Sequence, residues 1–196
     1  MRMLPGIVMI SSLVLLFDVP PALAQARVPG LDTVAVGAGV GFLAPDNTEE
    51  ESGRALETAT ATFDAFVDYH YNTHVSIRGG YGWAQPAFED DGGRALRHQH
   101  VTVSVAYGWL LGAFRPYASV GGGAYFLSRR QGDARVGDDV TKPGGLLGWG
   151  LEYYLRTFAL RTEMNVHILT EDDKLLELGT RTLTAFTWVF GVKVPF

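Results

Sequence analysis

The chain has 196 residues, with 21 acidic and 16 lysine or arginine side chains and a formal net charge of −5 at pH 7. It contains no cysteine, which argues against a disulfide scaffold, a lipid-modified cysteine anchor and thiolate chemistry. A mildly acidic chain without basic clusters also lacks the electrostatic pattern that nucleic-acid binding requires.

The beginning of the chain has the pattern of a secretory signal peptide. Arg2 precedes an apolar run at residues 4–17, which is too short for a transmembrane helix. Ala22-Leu23-Ala24 then offers a small-residue cleavage site, and Ala26 ends a second one. The predicted organisation is a cleaved signal peptide over residues 1–24 and one domain over residues 27–196.

Eight later segments alternate apolar with polar or small residues at a period of two, which predicts β-strands with one apolar face. In chain order they span residues 33–44, 57–71, 74–84, 98–110, 115–127, 145–155, 158–169 and 182–196. The fifth segment leaves its phase open, because two alternating sets compete. One set is Ala118, Val120, Ala124 and Phe126, and the other is Tyr117 and Tyr125.

Charged residues test this alternation independently, because apolar residues alone set the phases. Eight charges within the segments lie on the polar face: Asp64, Asp68, Arg78, Arg115, Glu152, Arg161, Glu163 and Lys193. An arginine or lysine facing lipid at mid-bilayer costs about 2–4 kcal/mol, so a membrane barrel requires this exclusion. Equal numbers of acids and bases predict a paired network that fills a narrow interior. A small or gated pore, tuned by the same charges, is the alternative.

The predicted connections alternate between short and long. The short ones lie near residues 71–73, 111–114 and 156–157, and the long ones at 45–56, 85–97, 128–143 and 170–181. Bacterial outer-membrane barrels have short periplasmic turns and long extracellular loops. With an even number of strands, this pattern places both termini in the periplasm.

The last predicted strand carries the most specific signal. Counting back from Phe196 in twos gives Val194, Val192 and Phe190, and the large apolar face continues through Trp188. This strand resembles the final strand of bacterial outer-membrane β-barrels, which ends in phenylalanine. The resemblance implies that Phe190, Val192, Val194 and Phe196 form the signal that the barrel-assembly machinery reads.

Two further motifs extend the likeness over nearly the whole domain. Gly79-Gly80-Tyr81-Gly82-Trp83 and Arg115-Pro116-Tyr117-Ala118-Ser119-Val120-Gly121 resemble segments of the small eight-stranded outer-membrane barrels. That group includes the outer membrane protein A transmembrane domain, the opacity proteins and the small adhesin barrels. The resemblance implies an all-β, up-and-down antiparallel transmembrane barrel in the outer membrane of a Gram-negative cell. We expect a monomer in contact with outer-membrane lipid and lipopolysaccharide.

A lipocalin is the soluble alternative, since it also combines eight strands with a signal peptide. The polar face of this chain is crowded with glycine and alanine, which suits a narrow interior better than a surface in water. The first strand also lacks the Gly-x-Trp opening of lipocalins.

The fold by itself does not define a function, because similar barrels serve as anchors, adhesins, porin-like proteins and lipid-modifying enzymes. We expect a non-enzymatic barrel with a plugged or narrow interior and no cofactor, acting in envelope integrity or surface interaction through four long loops. A small porin-like channel is the alternative, and an outer-membrane lipid-modifying enzyme comes third. No loop sequence identifies a ligand.

Three motifs could carry chemistry. His74-Val75-Ser76 has the His-x-Ser spacing of lipid A deacylases, but it adjoins a short turn and we expect both side chains to point inward. His98 and His100 put two imidazoles on one strand face without an identifiable third metal ligand. Acidic groups without calcium-loop spacing lie in the long connections, near residues 49–51, 89–91, 138–139 and 171–173. They are solvated charge or, alternatively, sites where divalent cations bridge to lipopolysaccharide phosphates.

Overall fold

A computed structural model of the protein describes residues 30–45, 59–87, 93–132, 134–137, 139–169 and 183–196. The predicted signal peptide lies outside these residues. The described chain forms nine strands: β1 (Thr33–Pro45), β2 (Thr60–His70), β3 (Val75–Ala84), β4 (Arg94–Gly108), β5 (Phe114–Gln131), β6 (Ala134–Arg135), β7 (Val140–Tyr154), β8 (Ala159–Leu169) and β9 (Leu183–Pro195). The described residues contain no helix with the length and apolar character needed to cross a membrane.

The eight long strands close into a barrel. Each long strand pairs antiparallel with its neighbour in the chain, and β1 also pairs with β9. The pairing of β4 with β5 completes the ring, while the two-residue β6 only extends the edge of β5. The predicted eight-stranded, up-and-down antiparallel barrel is therefore confirmed.

Three strands are longer than their apolar alternation indicated. β4 begins at Arg94, β5 continues to Gln131 and β7 begins at Val140, so parts of two predicted long connections belong to the sheet. Arg94 pairs with Gln131 at the far end of the β4–β5 ladder. Backbone pairing persists there although the side chains have become polar, which is why hydrophobic pattern alone made these three strands too short.

The apolar face of the long strands points away from the barrel axis. Val40 is 65% exposed and Val103 is 60% exposed, whereas Ala35 and Ala106 on the opposite face are buried. Eight strands leave an interior only wide enough for side chains, so large apolar residues are accommodated on the outer surface.

The structure also determines the phase of the fifth predicted strand. Val120 and Phe126 of β5 face outward, while Tyr117 and Tyr125 are buried inside the barrel. Tyr125 is fully buried, and its phenol oxygen forms a hydrogen bond with His167 from across the interior. A tyrosine therefore takes the inward position where a polar partner is available for its hydroxyl group.

Candidate functional site in the barrel interior

All eight charged side chains on the polar face point into the barrel, where ion pairs join them into one continuous chain. We call this set the charge network. Four of its members, Asp68, Arg115, Glu152 and Lys193, are fully buried, and the Asp64 side chain, at 16% exposure, is the most accessible. The order of contacts is Arg115, Glu152, Lys193, Asp68, Arg78, Glu163, Arg161 and Asp64.

Lys193 joins two strands that are not neighbours. Its Nζ lies 3.2 Å from Asp68 Oδ2 on β2 and 2.5 Å from Glu152 Oε1 on β7. Taking an unpaired ammonium or carboxylate out of water costs several kcal/mol, so each of these buried groups depends on the others. The lysine therefore links opposite sides of the interior.

Arg115 connects the charge network to the backbone at one end of the barrel. Its Nη1 donates to Glu152 Oε2 at 3.2 Å. Its Nε and Nη2 donate to the carbonyl oxygens of Thr73 and His74, at 3.1 and 2.8 Å, in the β2–β3 turn. This end, where the short turns lie, is called the turn end below, and the opposite end is called the loop end.

Arg78 is the central cation of the charge network. It binds Asp68 through two parallel hydrogen bonds, Nε to Oδ1 at 2.5 Å and Nη2 to Oδ2 at 2.9 Å. Its Nη1 also donates to Glu163. A planar guanidinium matches a carboxylate in this two-bond geometry, which a lysine at the same position could not reproduce.

Arg161 extends the charge network toward the loop end. Its Nη2 lies 2.7 Å from Glu163 Oε2, and its Nη1 lies 3.2 Å from Asp64 Oδ2. The hydroxyl of Tyr117 donates to the same Glu163 oxygen. Every charge of the network thus has an opposite charge within reach, as buried ionic groups require.

Phe66 is an interior residue that strand alternation did not single out. It lies on the polar face of β2, and the guanidinium carbons of Arg78 and Arg161 stand 4.5 and 4.1 Å from its ring centre. Gly37 makes room for the ring, because a Cβ at that position would collide with it. The sequence signal that could have identified it is its position, since Phe66 belongs to the same alternating set of β2 as Asp64 and Asp68.

A second interior group lies nearer the loop end. His98, His100 and His167 face one another, with ring centres 4.7 to 6.2 Å apart, and Tyr125 contacts all three. We call these three histidines the imidazole cluster. The third imidazole, on β8, is the one that the sequence could not identify. As the side chains stand, no group of three or more His, Cys, Asp or Glu in the described chain is arranged to hold a metal ion.

Three leucines pack inside the barrel beyond the imidazole cluster. Leu96, Leu127 and Leu169 pack together with Tyr125, and each leucine is at most 2% exposed. We call these three leucines the leucine cap. They point inward, against the outward preference of apolar residues in this barrel, and they separate the imidazoles from the loop end.

The His-x-Ser motif does not form a catalytic pair in the structure. His74 is exposed, and its ring stacks on outward-facing Tyr107 at 5.9 Å, so the expectation that it points inward is wrong. Ser76 is buried inside the barrel. The side chain of His74 is held in the turn instead, with Nδ1 bonded to Thr73 Oγ1 at 3.0 Å.

The residues of the predicted assembly signal share the outer face of β9. Phe190, Val192 and Val194 are 39–47% exposed, and Phe196 is 75% exposed. The backbone N–H of Phe196 donates to the carbonyl of Val34 at 2.8 Å, so the seam between β9 and β1 extends to the last residue. Of the acidic groups in the predicted loops, Asp139 is described, and it pairs with Arg135 at 3.1 Å.

The fold and its charged interior define a transmembrane β-barrel, and sequence comparison identifies the class. The family profile of the outer membrane protein beta-barrel domain matches residues 9–196, so the chain belongs to that family. Members of this family lie in the outer membrane of Gram-negative bacteria. None of the curated proteins matches the chain.

Solved structures show the same fold at low sequence identity. Ail, the attachment invasion locus protein of Yersinia pestis, is 15% identical, with a TM-score of 0.57 over 85% of this chain and 99% of that one. The N-terminal β-barrel domain of Pseudomonas aeruginosa OprF is 15% identical, with a TM-score of 0.56 over 86% and 100%. Neisserial surface protein A is 11% identical, with a TM-score of 0.61 over 84% and 96%. At these identities the likeness extends to the fold alone.

Proposed function

We propose that this protein is a non-enzymatic outer-membrane barrel with a closed interior, which acts in envelope integrity or in surface interaction. Its outer face contacts the lipid and lipopolysaccharide of the membrane, and its long connections form the surface outside the cell. The start of β1 and the end of β9 lie at the turn end, and this proposal places that end and both termini in the periplasm, because outer-membrane barrels have short periplasmic turns.

The observation that carries the proposal is the charge network. Its acids and bases come from six strands and meet inside an eight-stranded barrel, which has room for little besides side chains. A passing ion would have to replace hydrogen bonds that already satisfy these groups. This arrangement favours a plug over a conducting path.

The leucine cap supports the same conclusion at the other end. An ion moving along the axis would have to pass Leu96, Leu127 and Leu169, whose side chains offer no polar ligand to replace water. Hydrophobic constrictions of this kind exclude water from narrow pores. Two barriers of different chemistry therefore lie in series along the axis.

A porin-like channel is the second candidate, favoured by the presence of eight charges along the interior. The discriminating experiment is conductance of the refolded protein in planar bilayers, after a gel shift between unboiled and boiled samples has shown folding. A folded but silent protein supports the plug. Discrete steps that change with Glu152→Gln or Arg161→Gln, but not with outward-facing Val103→Ala, would establish the channel instead.

The role of the loops needs a test in cells. Residues 46–58 and 170–182 can be replaced separately by flexible linkers of equal length, with the strands unchanged. If the protein acts through surface interaction, a null strain that expresses a loop-replaced variant should keep the null phenotype, although the folded barrel still reaches the outer membrane. Full complementation would place the function in the barrel wall. A change in the mass of lipid A in cells that express the protein would instead support the enzyme alternative.

A further inference from the structure

The imidazole cluster is built from two strands on opposite sides of the interior. His98 and His100 are two positions apart on β4 and therefore share a face, and His167 reaches them from β8. The ring centres of His100 and His167 lie 4.7 Å apart, and those of His98 and His100 lie 5.4 Å apart.

Two of these histidines carry buried nitrogens without a partner. His98 is 3% exposed, and neither of its ring nitrogens hydrogen bonds to any described residue. His100 is 8% exposed, and its Nδ1 is also unpaired within the described chain. A buried polar atom left unsatisfied is uncommon in a native structure and calls for a ligand or another explanation.

His167, in contrast, is held in place on both sides. Its Nδ1 bonds to the hydroxyl of Tyr125 at 3.0 Å, and its Nε2 bonds to Thr187 Oγ1 at 3.1 Å. Metal-bound histidines normally use one nitrogen for the metal and bind a fixed partner with the other. Tyr125 can supply that partner while Nε2 exchanges Thr187 for a metal.

The strands facing the imidazole cluster leave room for these rings. Gly82 on β3 stands against His100, and a Cβ there would collide with the imidazole. Gly144 on β7 stands against Tyr125 in the same way, with a Cβ placed 2.5 Å from the ring. The glycines at these two positions therefore leave space that the aromatic rings occupy.

The spacing of the rings suits a shared metal ion. With Zn–N bonds of about 2.1 Å and tetrahedral geometry, the ring centres of two ligating histidines lie about 5 Å apart. The observed separations of 4.7, 5.4 and 6.2 Å bracket this value, and metal binding requires the imidazoles to turn until their nitrogens converge on one point. Imidazole ligands suit zinc, copper and nickel and do not suit calcium or magnesium.

We propose that His98, His100 and His167 bind one divalent transition-metal ion inside the barrel, between the charge network and the leucine cap. His98 and His100 supply the unpaired nitrogens, and His167 supplies Nε2 while Tyr125 retains Nδ1. The ion links β4 to β8 across the interior and adds a cross-link to the plug.

The first test is zinc titration of the untagged, refolded protein, monitored by calorimetry and by the temperature of unfolding. Two protocols are used, with zinc added during refolding in one and after refolding in the other, because the leucine cap limits entry of the ion into the folded barrel. We expect one equivalent to bind and to raise the unfolding temperature. His98→Ala and His100→Ala should each weaken binding by more than about tenfold. His74→Ala is the matched control, since that exposed histidine lies at the turn end, and it should bind like the wild type.

A spectroscopic test does not depend on the folding of any variant. Copper(II) bound to the wild-type protein should show electron paramagnetic resonance splitting from three imidazole nitrogens. No bound metal under either protocol would overturn the proposal, and so would copper without nitrogen splitting. The proposal would also be overturned if His74→Ala abolished metal binding while His98→Ala preserved it.

Discussion

Lys193 of β9 and Asp68 of β2 are 125 positions apart in the sequence, yet Nζ of the lysine lies 3.2 Å from Oδ2 of the aspartate. β1 lies between their strands and pairs with both. Its inward residues at this level, Ala35 and Gly37, are small, so the lysine side chain can pass over them. The small face of β1 therefore permits an ion pair across the seam that closes the barrel.

Replacing Lys193 tests how far the barrel depends on this contact. Lys193→Met leaves Asp68 and Glu152 buried with one cation fewer, and breaking a buried ion pair typically costs about 3–5 kcal/mol. We expect a loss of this size in the free energy of unfolding, measured by urea titration in lipid vesicles. The control is Arg135→Met, because the pair of Arg135 with Asp139 is about half exposed and is expected to contribute at most about 1 kcal/mol. Equal effects of the two variants would contradict this account of the charge network.

The lipid-facing surface can be tested by placing one charge at two exposed positions. Val103 lies in the middle of β4 and Leu111 lies in the turn before β5, and they are 60% and 65% exposed. Val103→Arg should destabilise the barrel in vesicles by about 2–4 kcal/mol, and Leu111→Arg by at most about 1 kcal/mol, because the cost depends on depth in the bilayer. If both variants unfold at the same urea concentration, the assigned depth of β4 is wrong.

The glycines of the interior are expected to differ from those on the outer surface. A Cβ at Gly123 would meet the carbonyl oxygen of Val101 and lie 2.7 Å from Thr102 Cα, both backbone atoms that cannot rotate away. Gly123→Ala should therefore cost about 1–3 kcal/mol of stability. Gly145 provides the matched control, since a Cβ there meets nothing within 4 Å. An unchanged unfolding midpoint for Gly123→Ala would show that the β4–β5 contact is looser than described.

The C-terminal residue should matter more for assembly in the cell than for the stability of the folded barrel. Phe196 is 75% exposed, and its backbone N–H, which bonds to Val34, does not depend on the side chain. Phe196→Ala should therefore refold in vitro nearly as the wild type does, while less folded barrel reaches the outer membrane. The readouts are the gel shift for refolding and membrane fractionation for assembly. Normal assembly in cells would remove Phe196 from the proposed signal.

Sequence alone could predict the barrel because the membrane imposes one rule on every strand. Residues that face lipid must be apolar, so a period of two fixes which side of each strand is outside. Eight apolar faces and eight charges on the opposite face were enough to predict the fold and the charged residues of the interior. The predicted strand edges were less accurate at β4, β5 and β7, where backbone pairing continues into polar sequence and the alternation no longer marks the strand.

Tertiary structure decided which interior residues meet, because that depends on strand register and on the stagger around the closed barrel. Period-two alternation places Lys193, Asp68 and Glu152 on inner faces but does not pair them across the interior. It also missed Phe66, which binds two guanidinium groups through its ring and is neither charged nor polar. His167 lies on another strand than His98 and His100, and only barrel closure brings the three imidazoles together. The sequence by itself therefore determined which residues face outward, because contact with lipid requires every one of them to be apolar. Only the tertiary structure determined the contacts of the interior, because each inward side chain depends on its particular neighbours.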